Sequence, residues 1–396
     1  MFPISDSFEF DYFGSDIRYG RGAVADLGAF LEEQGFERAM LVTGRNVGAN
    51  AGVMDPVRTG LGERLVRVFD ETTPEKDAET VYDGIEAMHE AEADVLVGVG
   101  SGSSLDTARQ ISAFDADGRP LSAYREAARA GDLAGPDPGE DPTPVVVVPV
   151  TLAGADVSGT GAMRILTAEE SPGGETVRTY GEVMPTGLFY DPNLFETPPQ
   201  GVLSGSAMNG FDKAIETPYA VNGSPITDGT AVHALRLFRD SLPRLAEDDP
   251  DAYERAVVGI ILAQFQRRIS IIHAFGHGAS RHFSVHQGVI HGVLAPHVLR
   301  YLFEQVDGSR DLLAEGLGVA EAGQSPDERA EAVARAVEEV RDGLGLPSRL
   351  RDVGDISEAD LRDIAEHTLH DEKMEQVPTG LEPTVEDLEG VLRAAW

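Results

Sequence analysis

Short apolar runs alternate with polar-faced helical segments through the first half of this 396-residue chain, and then the runs stop. Residues 39–44 (AMLVTG), 93–104 (ADVLVGVGSGSS), 143–151 (TPVVVVPVT) and 187–192 (GLFYDP) read as strands. The valine run at 145–148 suits a strand covered on both faces, as strands of parallel sheets are. Helical patterns lie between them, at 25–35 and 78–91. Alternation of this kind predicts an open, mostly parallel α/β sheet. Beyond the Pro-rich segment 195–201 (FETPPQG) only helical patterns follow, at 205–220, 227–246, 251–277 and 325–345. The expected organisation is an α/β domain over 1–200 and an all-α domain over 201–396.

Charge narrows the partners. The chain has 68 acidic and 32 basic residues, a net charge of −36, which disfavours nucleic acid or anionic membrane. A lysine-poor chain this acidic resembles proteins of salt-accumulating halophiles. With no cysteine there is no disulfide or thiol nucleophile. No stretch of 18 apolar residues and no signal pattern at the N-terminus point to a cytoplasmic protein.

Two segments carry chemistry. In VGVGSGSSLDTARQIS a strand turns through Gly100, Ser101, Gly102 and Ser103 into a helix. Small residues let a backbone approach a ligand, and a helix N-terminus favours an anion. The spacing is neither Gly-x-Gly-x-x-Gly nor a P-loop, so by itself it suggests pyrophosphate without requiring it. The second segment holds six of the ten histidines: His273, His277, His282, His286, His291 and His297. Such density suggests a metal site or proton chemistry. His273 and His277 are four residues apart, as are Asn209 and Lys213, so each pair shares a helical face.

These motifs together resemble the iron-containing alcohol dehydrogenase superfamily. Gly100-Ser-Gly-Ser-Ser-Leu-Asp106 is similar to its Gly-Gly-Gly-Ser-x-x-Asp element. Residues 149–158 (PVTLAGADVS), with Thr151, Leu152 and Ser158, resemble its second nucleotide loop. FYDPNL at 189–194 and the final PTVEDLEGVLRAAW match further signatures, so the resemblance runs along nearly the whole chain. It implies a nicotinamide cofactor in a cleft between two domains, a small alcohol, aldehyde, ketone or keto acid as substrate, and a homo-oligomer. NAD-using relatives often carry Asp where Gly44 stands. Here Arg45 follows, a residue suited to a 2′-phosphate, so NADP(H) is expected over NAD(H).

The resemblance also implies a metal held by one Asp and three His. Aligned by flanking residues, those positions fall on Asn209, Lys213, His273 and Gln287. Only His273 is a good ligand, because amides ligate weakly and an ammonium not at all. The pattern comes nearest the metal-independent maleylacetate reductase branch, which shares the Met208-Asn209 context and a histidine at His291. That branch keeps His where Lys213 and Gln287 stand and lacks an Asp at position 106, which leaves maleylacetate in doubt as substrate. The expected enzyme reduces a carbonyl without a metal. Lys213 serves as the cation, Asn209 and Gln287 as amide donors, and His273, His277 or His291 as proton donors. Arg267, Arg268 and Arg281 could meet an acidic substrate. Other readings are a metal enzyme with shifted ligands (His286 for Gln287, or Asp212 for Asn209), a cyclase related to dehydroquinate synthase, and a degenerate binding protein.

Overall fold

The computed structural model describes residues 8, 14–247, 249–265, 268–281, 283 and 285–396. They form two compact units. One comprises residues 14–151 together with Ala155–Pro198; the other holds residue 8, Leu152–Gly154 and Pro199–Trp396.

The first unit contains β1 (Asp16–Tyr19), β2 (Ala39–Gly44), β3 (Leu65–Thr72), β4 (Val95–Gly100), β5 (Val145–Pro149), β6 (Thr160–Leu166), β7 (Val177–Glu182) and β8 (Gly187–Tyr190). Six strands make one parallel sheet in the order β1-β8-β5-β4-β2-β3, while β6 and β7 pair as a separate antiparallel ribbon. The valine run behaves as its composition predicts: Val145, Val146, Val147 and Val148 are fully buried in β5. Each such side chain gains roughly 1.5–3 kcal/mol from leaving water. Connections from β2 run outward to β3 on one side, and β4 lies on the other side of β2. The direction of winding therefore reverses between β2 and β4, the place where open α/β sheets bind ligands at their strand C-termini. Gly44 ends β2 and Gly100 ends β4. From Gly102 the chain enters a helix that covers the sheet. The helices of this unit are α1 (Leu27–Gln34), α2 (Ala51–Leu61), α3 (Ala78–Glu90), α4 (Gly102–Asp117) and α5 (Leu121–Ala130).

The second unit is helical. Its main elements are α6 (Gln200–Glu216), α7 (Pro225–Ser241), α8 (Pro250–Ala263), α9 (Ile271–Ser280), α10 (Gln287–Gln305), α11 (Pro326–Gly343), α12 (Leu361–Leu369) and α13 (Val385–Ala394). Residues 251–277 do not form the single helix that their periodicity predicts. The helix ends at Ala263 and restarts at Ile271, after Ser270 adopts φ −139° and ψ −136°. The restart depends on a distant residue: Glu216 of α6 accepts from the N–H groups of Ser270 at 2.8 Å and Ile272 at 2.7 Å. A carboxylate at a helix N-terminus satisfies orphan donors and meets the positive end of the dipole.

Two glycines bring α6, α9 and α10 close together. A Cβ on Gly288 of α10 would lie 1.9 Å from the carbonyl oxygen of Gly205 in α6. One on Gly276 of α9 would lie 2.3 Å from His291 Nε2 and 2.7 Å from Gln287 Cγ. Larger residues there would push the three helices apart, and with them every side chain of the polar cluster they enclose.

One acidic group in this unit links folding to pH. Burial pushes the Asp228 carboxyl up to about 6, and its Oδ1 has no hydrogen-bond partner. The folded state then holds this proton more tightly than the unfolded chain does. Stability is therefore lost as pH rises from about 4 through 6, and the whole cost stands above that window. Asp228→Asn is expected to raise the melting temperature at pH 7.5 and leave it unchanged at pH 4, read by thermal melts at both.

Candidate active site

At the C-terminal ends of β2 and β4 the first unit presents a turn of small residues leading into α4. Gly100 has φ +140°, and a Cβ there would meet Ser104 Oγ at 2.9 Å. Ser101 caps α4 by position but makes no side-chain capping bond, which leaves first-turn N–H groups available to an incoming acceptor. Ser101 Oγ and Ser103 Oγ lie 3.2 Å apart at the mouth of this turn. Thr43 Oγ1 donates to Val99 O at 2.7 Å, and Thr72 and Ser104 share a 3.0 Å hydroxyl bond, so the strand ends are tied together. Gly44 leads into Arg45, which is exposed and whose side chain has neither hydrogen bond nor ion pair among the described residues.

Asp106 is engaged within the protein. Lys76 Nζ lies 2.5 Å away and Arg109 Nη1 donates to it at 3.2 Å. Arg109 is fully buried, and burial pulls its pKa down against the pull of Asp106. Its other nitrogen donates to the backbone oxygen of Asp156 at 2.7 Å, while Tyr190 donates to the Asp156 carboxylate at 3.1 Å. This network anchors the loop that continues to Ser158, whose Oγ accepts from Thr160 N. Of that loop, Thr151 is buried in the first unit and Leu152 in the second, where its N–H donates to Ser206 Oγ at 3.2 Å.

The second unit gathers most of the other candidates. Lys213 is 6% exposed, and its Nζ donates to Asn209 Oδ1 at 2.7 Å and lies 3.5 Å from His273 Nε2. Gly154 packs on the lysine stem, 3.3 Å from its Cδ by the position of an added Cβ. His273 Nδ1 lies 2.5 Å from Glu216 Oε2 and 2.9 Å from Asp212 Oδ2. His291 stacks obliquely on His273 with ring centroids 4.5 Å apart, its Nδ1 3.3 Å from Asp212 Oδ2. Gln287 opens α10 against Gly276. His277 is half-buried, with Nδ1 2.9 Å from Asp371 Oδ2.

Other basic residues stand apart. His286 is exposed and caps α10, accepting from Gly288 N at 3.2 Å. His297 is half-buried farther along α10, and Arg281 is exposed at the end of α9. Arg268 bonds Thr217 through its backbone. His282 and Arg267 lie outside the described residues.

Glu216 and Asp371 are the two functional neighbours that sequence patterns did not single out for these roles. Glu216 receives the N–H groups of Ser270, Ile272 and His273, the Tyr219 hydroxyl and the His273 ring. Burial still pushes its carboxyl up to about 7 against those bonds. Asp212 is driven well above the carboxylate range by burial and by Glu216, with Lys213 opposing. Since Glu216 receives the hydrogen bonds and neither Asp212 oxygen completes one, the proton of this acidic pair belongs on Asp212. Burial, then His273 and Lys213, hold His291 well below its usual pKa, so its ring is neutral.

Asp212, His273 and His291 bring one potential ligand atom each within 4.8 Å of one another. Unpartnered Asp212 oxygens and His291 nitrogens favour a cation there. The engagement of His273 opposes it. Its Nδ1 is committed to Glu216, and its Nε2 faces the Lys213 ammonium. A carboxylate on Nδ1 is the usual partner of a metal-ligating histidine, so the opposition comes from the Lys213 charge beside Nε2. The three residues form a possible metal-binding triad with the Lys213 ammonium beside it.

Comparison with known proteins identifies the scaffold. The family model for iron-containing alcohol dehydrogenase matches residues 14–192, and that for the Fe-containing alcohol dehydrogenase family C-terminal domain matches residues 204–396. The chain belongs to the iron-containing alcohol dehydrogenase family. It is 27% identical over 386 residues to the NAD-dependent methanol dehydrogenase of Bacillus methanolicus, covering 95% of this chain and 97% of that protein. The crystal structure of a 1,3-propanediol oxidoreductase superposes with a TM-score of 0.85 at 23% identity, covering 98% of this chain and 100% of the other. Maleylacetate reductase from Agrobacterium tumefaciens shares the fold at TM-score 0.77 and 22% identity, with 99% of each chain covered. As in the dehydrogenases and reductases of this family, the chain is an oxidoreductase acting on alcohols or aldehydes.

Proposed function

We propose that this oxidoreductase reduces a small aldehyde, ketone or keto acid with NADPH and without a catalytic metal. The observation that carries the reading is the Lys213 ammonium, bonded to Asn209 and beside His273, at positions where the resemblance implies metal ligands. A bound nicotinamide cofactor supplies the hydride. The chain's own residues do the rest. As the carbonyl oxygen gains charge, Lys213 stabilises it and Asn209 holds the ammonium in place. Gln287 is placed to orient the substrate by its amide. The Gly100–Ser103 turn and the α4 N-terminus bind pyrophosphate. NADPH is favoured because Arg45 is an unpaired cation beside Gly44, where a 2′-phosphate needs charge and space. Arg45→Ala is expected to lower kcat/KM for NADPH about tenfold and leave NADH nearly unchanged, measured with both cofactors.

Metal dependence with shifted ligands is the second reading, favoured by the unpartnered atoms of Asp212 and His291. Oxidation of NADPH and NADH against uncharged aldehydes and keto acids, in low and high KCl, tests the activity. The reading fails if no carbonyl compound supports turnover. The high-salt arm follows from the net charge of −36, whose self-repulsion salt screens.

A further inference from the structure

We propose that Asp371 is a positioning residue for His277, and that the pair forms the proton entry to the active site. The inference rests on the reductase reading above. It starts from a difference among three histidines. The side chains of His273 and His291 are 4% and 0% exposed, whereas that of His277 is 36% exposed. Both ring nitrogens of His273 face protein groups, Glu216 at one and Lys213 at the other. Among these candidates, His277 alone combines a carboxylate partner with access to solvent.

Asp371 follows α12, and its two oxygens have separate tasks. Oδ1 accepts from the backbone N–H of Lys373 at 2.9 Å, which fixes the carboxylate. Oδ2 lies 2.9 Å from His277 Nδ1. Burial pushes this carboxyl upward, but the His277 hydrogen bond and charge, with Lys373, leave it below its ordinary value. An ionised carboxylate can only accept, so His277 Nδ1 must carry the hydrogen. Nε2 is then the exchanging atom, as in other carboxylate-oriented histidines. His277 follows His273 by one helical turn, so the two rings share a face of α9, and of the two it is His273 that lies 3.5 Å from Lys213 Nζ.

The step balances. The carbonyl carbon takes the hydride of NADPH, the C=O π pair moves to oxygen, and Lys213 Nζ gives that oxygen a proton. His277 takes up H+ from solvent at Nε2 and passes that proton to the neutral Lys213 amine, so the carbonyl compound, NADPH and H+ become the alcohol and NADP+.

The test combines kinetics with ring NMR of histidine-labelled protein. Asp371→Asn keeps the acceptor for Lys373 N and is expected to lower kcat at least tenfold with little change in cofactor KM. His277→Ala should lose at least as much and recover in part with added imidazole. The double variant should be no slower than His277→Ala, since Asp371 acts through the ring. In the ring spectra, Asp371→Asn should move His277 away from the Nδ1–H tautomer. An active wild-type enzyme with unchanged kcat in Asp371→Asn, or additive losses in the double variant, would overturn this proposal alone. A wild-type protein without turnover on any carbonyl would instead remove the reductase reading, and with it this role for Asp371.

Discussion

Lys213→Met is expected to lower turnover at least tenfold while the protein stays folded. Tenfold corresponds to about 1.4 kcal/mol of lost transition-state stabilisation. Methionine retains most of the buried stem packed against Gly154 and removes only the charge and its donors. The ammonium it removes is the group placed to meet a developing alkoxide, bonded to Asn209 at 2.7 Å. Removing a buried ammonium also removes the cost of taking that charge out of water. The melting temperature should therefore hold while kcat falls, and cofactor KM should change little. Steady-state kinetics beside thermal melts separates the two effects, and a variant with wild-type kcat refutes the role given to Lys213.

Glu216→Gln is expected to cost both stability and turnover, although the side chain keeps its shape. Every group facing the Glu216 carboxylate is a donor. Glutamine must turn an NH2 toward some of them. If the NH2 takes the Oε2 place it meets Ser270 N and the His273 ring; in the Oε1 place it meets Ile272 N and the Tyr219 hydroxyl. His273 can answer by changing tautomer, but a backbone N–H cannot. One or two buried donors are left unsatisfied, at about 1–3 kcal/mol each. The same change weakens the cap that restarts α9 and frees the ring whose Nε2 faces Lys213. A melt lowered by several degrees together with a loss in kcat is the expected result. An unchanged melt would show that the capping role is unimportant.

The legibility of this fold follows from which contacts are local. Strand β5 was readable because four valines in a row suit only a doubly covered strand. The pair β6 and β7 was not, because Arg164, Arg178 and Glu182 interrupt the apolar pattern of a ribbon with an exposed face. The break between α8 and α9 was hidden for another reason. Apolar periodicity runs through it, no glycine or proline marks it, and its cap comes from Glu216, 54 residues before Ser270. The candidate site divides in the same way. Asn209 and Lys213 could be paired from helical spacing, and the structure places them in contact. Asp371 lies 94 residues from His277, and no periodicity links them. The burial that separates His291 from His277 was equally invisible, since both are histidines in one dense segment.

Metal analysis of the active enzyme distinguishes a lysine cation from a bound metal. Purified protein would be assayed for iron, zinc and other divalent metals, then for carbonyl-dependent NADPH oxidation before and after exhaustive chelation. Substoichiometric metal, unchanged turnover after chelation and no gain when metals are added back are the expected results. Stoichiometric metal whose removal abolishes turnover, and whose return restores it, would place the catalytic cation at Asp212, His273 and His291 instead of at Lys213.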